Sequence, residues 1–152
     1  QKIANKKQTE RMAKEGLIGY YIHANGKVAA LVMLSSETDF VAKNEMFKSL
    51  AHDLAMQVAA MNPIYIAPEE IKNEILEKEK RFYQEELVKE NKPAEIAEKI
   101  IFGKLNKYFE DVCLLNQKFI KDDTKTIKNL ITENIAKLGE KIEIKKIVRW
   151  EI

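Results

Sequence analysis

The amino-acid sequence predicts an α+β fold: a three-stranded antiparallel sheet packed with helices, plus a charged helical pair over residues 68–110. Three observations lead there. Asn25-Gly26 sits between two apolar runs, the strongest short-range sign of a β-hairpin. A long stretch after the hairpin repeats its apolar residues at helical spacing. The chain closes on a segment in which apolar and charged residues alternate, as in a half-buried strand.

In order along the chain, residues 2–15 read as a short polar helix ended by Gly16, so that 1–16 form an N-terminal linker helix and 17–152 the core domain. Leu17 to His23 is apolar and aromatic, with strand character. Val28 to Leu34 is a continuous apolar run, as expected of an interior strand or one covered on both faces. The hairpin therefore spans 17–36. Ser35 to Asp39 stops the second strand, and a helix follows at least from Asn44 to Met61, where Asn62-Pro63 ends it. Phe47, Leu50, Ala51, Leu54, Val58 and Met61 form its apolar stripe. A second face carries His52 and Met56, one turn apart, beside Ala59 and Ala60. Such a face suits either a central helix covered on both sides or a surface that meets a partner.

Pro68-Glu69-Glu70 has helix-opening chemistry. The stretch to residue 90 is dense in Glu and Lys, with a narrow stripe of Ile71, Ile75, Leu76, Phe82, Tyr83 and Leu87. Asn91-Lys92-Pro93 breaks it, and residues 94–110 form a second helix, with Ile96, Ile100, Ile101, Leu105, Tyr108 and Phe109 apolar. An antiparallel helical hairpin is expected. Residues 112–123 begin apolar and continue as a loop. Asp123 or Thr124 then caps a helix that runs to Leu138 and ends at Gly139. Residues 141–151 form the last strand, paired with the hairpin.

The composition excludes several classes. The chain of 152 residues suits one domain, or a core with one appendage. It is 45% hydrophobic, enough for a core, and 33% charged, which implies long solvated helix faces. A net charge of +2 predicts neither a nucleic-acid footprint nor a membrane surface. No apolar run reaches the roughly 20 residues of a membrane span. The basic, polar start lacks the apolar stretch of a signal peptide and begins at Gln1, so a fragment or processed chain is expected. With Cys113 as the one cysteine there is no intrachain disulfide, and a cytoplasmic location is the default.

Little in the chain points to bond chemistry. The glycines fall in no phosphate-loop pattern, and there is no HExxH and no His/Cys cluster for a metal. Cys113 lies in an apolar run and reads as a small core residue, with a subunit contact as the alternative. His23 sits beside a turn and reads as a surface residue. Asp122-Asp123 reads more simply as capping than as a carboxylate pair. A protein that acts by binding, with no metal and no cofactor, is the resulting expectation. An RNA- or ribosome-associated role stays behind protein binding, because Tyr20 and Tyr21 have no basic surroundings.

Thr38-Asp39-Phe40-Val41 stands at the strand-to-helix junction. Taken alone, it favours a capped turn, with Thr38 or Asp39 as the cap and Phe40 plugging the core. Its neighbours reverse that weighting. Glu15-Gly-Leu-Ile-Gly-Tyr-Tyr-Ile-His23, Ser36-Glu-Thr-Asp-Phe-Val-Ala42 and Leu50-Ala-His-Asp-Leu-Ala-Met-Gln-Val-Ala-Ala-Met-Asn-Pro63 closely resemble elongation factor Ts. So do Val112 to Thr126 and Ile135 to Ile142. The blocks follow family order and cover nearly the whole chain.

The resemblance implies an antiparallel sheet with helices, the dimerisation domain of the family, and guanine nucleotide exchange on elongation factor Tu. It implies that the Asp39-Phe40 tip enters the GTPase near its magnesium and phosphate site, with Phe40 as an apolar wedge and Asp39 holding the tip or disturbing the metal's surroundings. Thr38 and Val41 belong to the same partner-binding segment. His52 matches a family position that touches the GTPase, and Met56 lies one turn on. No bound nucleotide or metal is implied for this chain. The small N-terminal helical domain usual in the family is not in this sequence, so a weakened grip is expected. The single core, where longer members have two in tandem, implies a homodimer. Lys118 stands where the family usually has Pro, which bears on the shape of that loop.

Overall fold

The computed structural model describes residues 14–152. The linker helix expected over 1–16 falls mainly on residues 1–13, outside the described residues. Gly16, read above as a helix end, instead pairs with Ser35 in the first strand. The chain divides into two compact units, one holding the described residues up to Asn62 together with Lys118–Ile152, the other Pro63–Gln117.

In the first unit, β1 (Glu15–Ile22) and β2 (Val28–Ser36) form the expected hairpin. Gly26 takes the left-handed conformation at φ 72° and donates its N–H to the His23 carbonyl (2.8 Å), which closes the turn. The strand order is β1-β2-β5, with β5 (Glu143–Glu151) antiparallel to β2. The central position of β2 accounts for its unbroken apolar run: Ala30, Val32 and Leu34 are buried towards the helices. A bulge lies between Met33 and Leu34, so that Met33 faces Lys146 while Leu34 faces Ile144.

A single helical turn, α1 (Asp39–Ala42), leads into α2 (Glu45–Met61). Asn44 caps α2 by accepting the Met46 N–H (2.8 Å), and Asn62 ends it in the left-handed conformation. Phe47, Leu50, Ala51, Leu54 and Val58 are buried, whereas Met61, the last residue of the expected stripe, is exposed. Burying a side chain such as Phe47 contributes about 1.5–3 kcal/mol. The helix lies close on β1 because Gly19 has no side chain: a Cβ there would overlap the carbonyl of Ala51. The last-strand Arg149 donates from Nε to the Ala59 carbonyl (3.0 Å), near the negative end of α2.

The return segment differs from expectation. Residues 118–123, expected as loop, and 124–126, expected as the start of a helix, instead form a small antiparallel pair, β3 (Lys118–Phe119) and β4 (Asp122–Thr126). Buried Gln57 of α2 fixes it, donating to the Lys118 carbonyl (3.0 Å) and accepting the Ile120 N–H (2.9 Å). Lys118 is thus an exposed strand residue opposite Thr126. The next helix starts later than expected: neither Asp123 nor Thr124 caps it. Asp122 accepts both the N–H and the hydroxyl of Thr124, and a capping box of Thr126 and Asn129 opens the last helix, α5 (Ile127–Leu138). Gly139 ends it at φ 73°.

The second unit is the charged helical pair. Pro68–Glu70 is a 3-10 turn, and the helix proper, α3, spans Asn73–Lys89 after a break at Ile71-Lys72. Its partner α4 covers Ala94–Val112, with Asn91 left-handed (φ 55°) in the turn between them. Lys104 of α4 reaches Glu86 of α3 (3.4 Å) and lies over the Tyr83 ring. At the open end the extended stretch Tyr65–Ile66 accepts the Leu114 and Leu115 N–H groups.

The Gly19 contact gives a direct expectation. Gly19→Ala should lower unfolding stability by about 1–3 kcal/mol, and Gly19→Val by more, because the added carbon overpacks the β1–α2 seam. Urea unfolding with an unchanged slope and a lower midpoint would confirm it; a midpoint equal to wild type would refute it.

Candidate functional site

The corner between β2 and α2 exposes a large aromatic side chain next to a buried pair. Thr38 is the cap of α1: its side-chain oxygen accepts the Val41 N–H (3.3 Å). Val41 and Ala42 are buried, but Phe40 is 84% exposed. The turn thus pins one side inward and turns a phenyl ring into solvent, the reverse of the core plug that local sequence favours. Asp39 is exposed beside it and pairs with Lys43 (2.8 Å), whose ammonium its hydrogen bond and charge raise above the usual lysine range. An exposed pair of this kind contributes little to stability.

Two further segments brace this corner. The Ser36 hydroxyl donates to the Thr38 carbonyl (2.9 Å). Glu140, just past Gly139, accepts the Thr38 N–H on Oε1 (3.0 Å) and the Thr38 hydroxyl on Oε2 (2.7 Å). In return, Glu37 accepts the Lys141 N–H (3.4 Å). The sequence offered no sign of Glu140, which lies 102 residues from Thr38.

His52 and Met56 form a second patch, on the face of α2 towards β1. His52 is exposed, with Nδ1 3.2 Å from the Tyr20 carbonyl and its ring edge-on to Tyr21. The Tyr21 hydroxyl lies 3.1 Å from Nδ1 of His23. Beside Met56 an apolar cleft of about 360 Å³ opens between Tyr21, Val28, Ala60 and Ile120. Of the named residues, Thr38, Asp39, Phe40 and Val41 thus make one patch, and His52 and Met56 another.

The outward face of the sheet is a third surface. The register lines up Ile18–Met33–Lys146, Tyr20–Leu31–Val148 and Ile22–Ala29–Trp150 across the three strands. Tyr20 and Trp150 are 66% and 60% exposed, and Ile18 and Ile22 are exposed as well. Lys146 is the one charge in these rows. A contiguous apolar face of this kind marks an interaction surface.

Among the described residues, no group of three or more His, Cys, Asp and Glu could hold a metal ion, and no helix is long and apolar enough to cross a membrane.

Comparison with known proteins finds a family match over nearly the whole chain. The family model described as Elongation factor TS covers residues 2–152. Elongation factor Ts of Maridesulfovibrio salexigens is 53% identical over 143 residues, which is 94% of this chain and 69% of that protein. Elongation factor Ts of Thermodesulfovibrio yellowstonii is 51% identical over 146 residues (96% and 72%), and that of Moorella thermoacetica 48% over 146 residues (96% and 72%). The protein is a translation elongation factor in class. It belongs to the elongation factor Ts family.

Cys113 is fully buried, in the second unit, next to the bridge with Tyr65. Burial pushes its thiol up to about 11, and Glu70 and Glu69 add to the shift. The thiol is therefore protonated at physiological pH, and its thiolate fraction should rise about tenfold per pH unit below that value. At pH 8 alkylation by iodoacetamide should be about a hundredfold slower in the native protein than in denaturant. Equal rates in the two states would contradict the burial.

Proposed function

We propose that this protein promotes GDP release from elongation factor Tu in the cytoplasm, entering the GTPase near its magnesium and phosphate site with the Asp39-Phe40 tip. The observation that carries the reading is the solvent-exposed Phe40 on a turn whose next two residues are buried. An aromatic ring that contributes nothing to its own core is available to a partner's apolar crevice. Membership of the elongation factor Ts family supports elongation factor Tu as that partner.

The mechanism is differential binding rather than bond chemistry. A factor that binds the nucleotide-free or distorted GTPase more tightly than the GDP-bound form lowers GDP affinity by the same factor. Phe40 is the wedge, stabilised by burial only in the complex. Asp39 brings a carboxylate towards the magnesium's surroundings, for which it exchanges Lys43 as its partner. Once magnesium is displaced, the diphosphate loses its charge neutralisation and leaves faster. Thr38 and Val41 hold the tip, and His52 and Met56 make a second contact on the GTPase.

A second copy of the chain is the partner for the outward sheet face, giving a homodimer. Apart from Lys146 the three cross-strand rows carry no charge, and two such faces stack about 10 Å apart in a β-sandwich.

Labelled GDP should leave elongation factor Tu faster in the presence of the protein, and Phe40→Ala should reduce that acceleration by about tenfold or more, the equivalent of losing a buried aromatic side chain. No acceleration by wild type would end the exchange reading; full activity of Phe40→Ala would end the wedge assignment alone. For the dimer, sedimentation at micromolar concentration should give twice the chain mass, and Tyr20→Glu should give the single-chain mass. A wild-type monomer at high concentration would exclude it.

A further inference from the structure

We infer that Glu140 is a positioning residue for nucleotide exchange: it sets the direction of the Asp39-Phe40 tip by holding Thr38. The inference rests on the exchange reading above and extends it to a residue at the far end of the chain.

The tip needs an external hold. A helix of one turn, such as α1, does not stand on its own, because nucleation fixes several dihedrals for a single hydrogen bond. Phe40 is exposed and cannot anchor the turn by burial. The Asp39–Lys43 pair is solvated on both sides and holds it weakly. Val41 and Ala42 fix the inner side only. What remains is Thr38, whose position sets where the turn begins.

Glu140 fixes Thr38 through both polar groups the residue offers as donors. One carboxylate oxygen takes the backbone N–H (3.0 Å), the other the hydroxyl (2.7 Å). An ionised carboxylate only accepts, so the Thr38 hydroxyl must donate to it. That leaves the hydroxyl's lone pairs facing the Val41 N–H at 3.3 Å. The result is a directed relay from Glu140 through Thr38 to Val41, one residue beyond Phe40. The reciprocal bond from the Lys141 N–H to Glu37 (3.4 Å) ties the same two segments a second time. Gly139, left-handed at φ 73°, makes the turn from which Glu140 reaches the corner. A Gln at position 140 keeps one acceptor, but its NH₂ group competes for the Thr38 oxygen, so it replaces the relay only in part.

The test is a double-mutant cycle read by nucleotide release at saturating factor. Glu140→Ala should lower the maximal rate by about 2- to 10-fold, the weight of one or two exposed hydrogen bonds, and Glu140→Gln should lie between it and wild type. In a Phe40→Ala background the same changes should have no further effect, because the tip they orient is gone. A merely structural residue would instead lower the rate by the same factor in both backgrounds. Amide hydrogen exchange supplies a readout independent of the GTPase: Thr38 and Val41 should exchange faster in Glu140→Ala while the α2 amides do not. Unchanged release by Glu140→Ala, equal loss in both backgrounds, or unchanged Thr38 and Val41 exchange would each overturn the inference. If Glu140→Ala does not fold, the Gln variant carries the same comparison. If wild type itself fails to accelerate release, the exchange reading falls, and amide exchange alone decides whether Glu140 holds the tip.

Discussion

The seating of α2 on β1, where Gly19 leaves room for the Ala51 backbone, fixes the geometry on which the other surfaces depend. Two elements this close have little freedom to slide. The N-terminal end of α2 then determines where α1 must connect, and its middle determines which side chains look out over β1. Both candidate patches are therefore read from one rigid seam: the corner with Phe40 at one end, His52 and Met56 along it. Interiors packed at crystal-like density transmit position well.

The surface is divided by physical character. One corner exposes a single aromatic ring beside a carboxylate. The outer sheet face exposes a broad apolar area with hardly any charge. The helical pair is rich in charge, and Leu87 is the one residue of α3 and α4 that is buried. A small protruding group suits entry into a crevice, whereas a flat apolar face suits association with another flat face. The two features occupy different faces of the first unit.

Much of the fold could be read from periodicity and turn chemistry, because those signals are local. The hairpin, α2 with its Asn44 start, the Gly139 stop and the last strand all rest on patterns within a few residues. The misreadings share a cause. Asp122, Asp123, Thr124 and Thr126 can all cap a helix, and the choice among them is made by pairing with Lys118 and by Asn129, not by propensity. The strand Asp-Asp-Thr-Lys-Thr has no apolar alternation to announce it. Pro68-Glu69-Glu70 opens a helix in chemistry, yet buried Ile71 interrupts it. At the site, local physics favoured a buried Phe40, and only the ordered family blocks argued for an exposed tip. Glu140 was illegible because nothing near Thr38 in sequence indicates what approaches it in space.

That long reach has a consequence for synthesis. The first unit is split in sequence: it is interrupted after Asn62 and resumes at Lys118, with the helical pair inserted between. The strand that flanks β2 and the carboxylate that grips Thr38 both come from the last part of the chain. Translation delivers residues from the N-terminus onward. The hairpin, α2 and Phe40 emerge early, but the brace on the corner is missing until the C-terminal strand has left the ribosome. A nascent chain thus exposes Phe40 before Glu140 and the last strand are there to hold the corner.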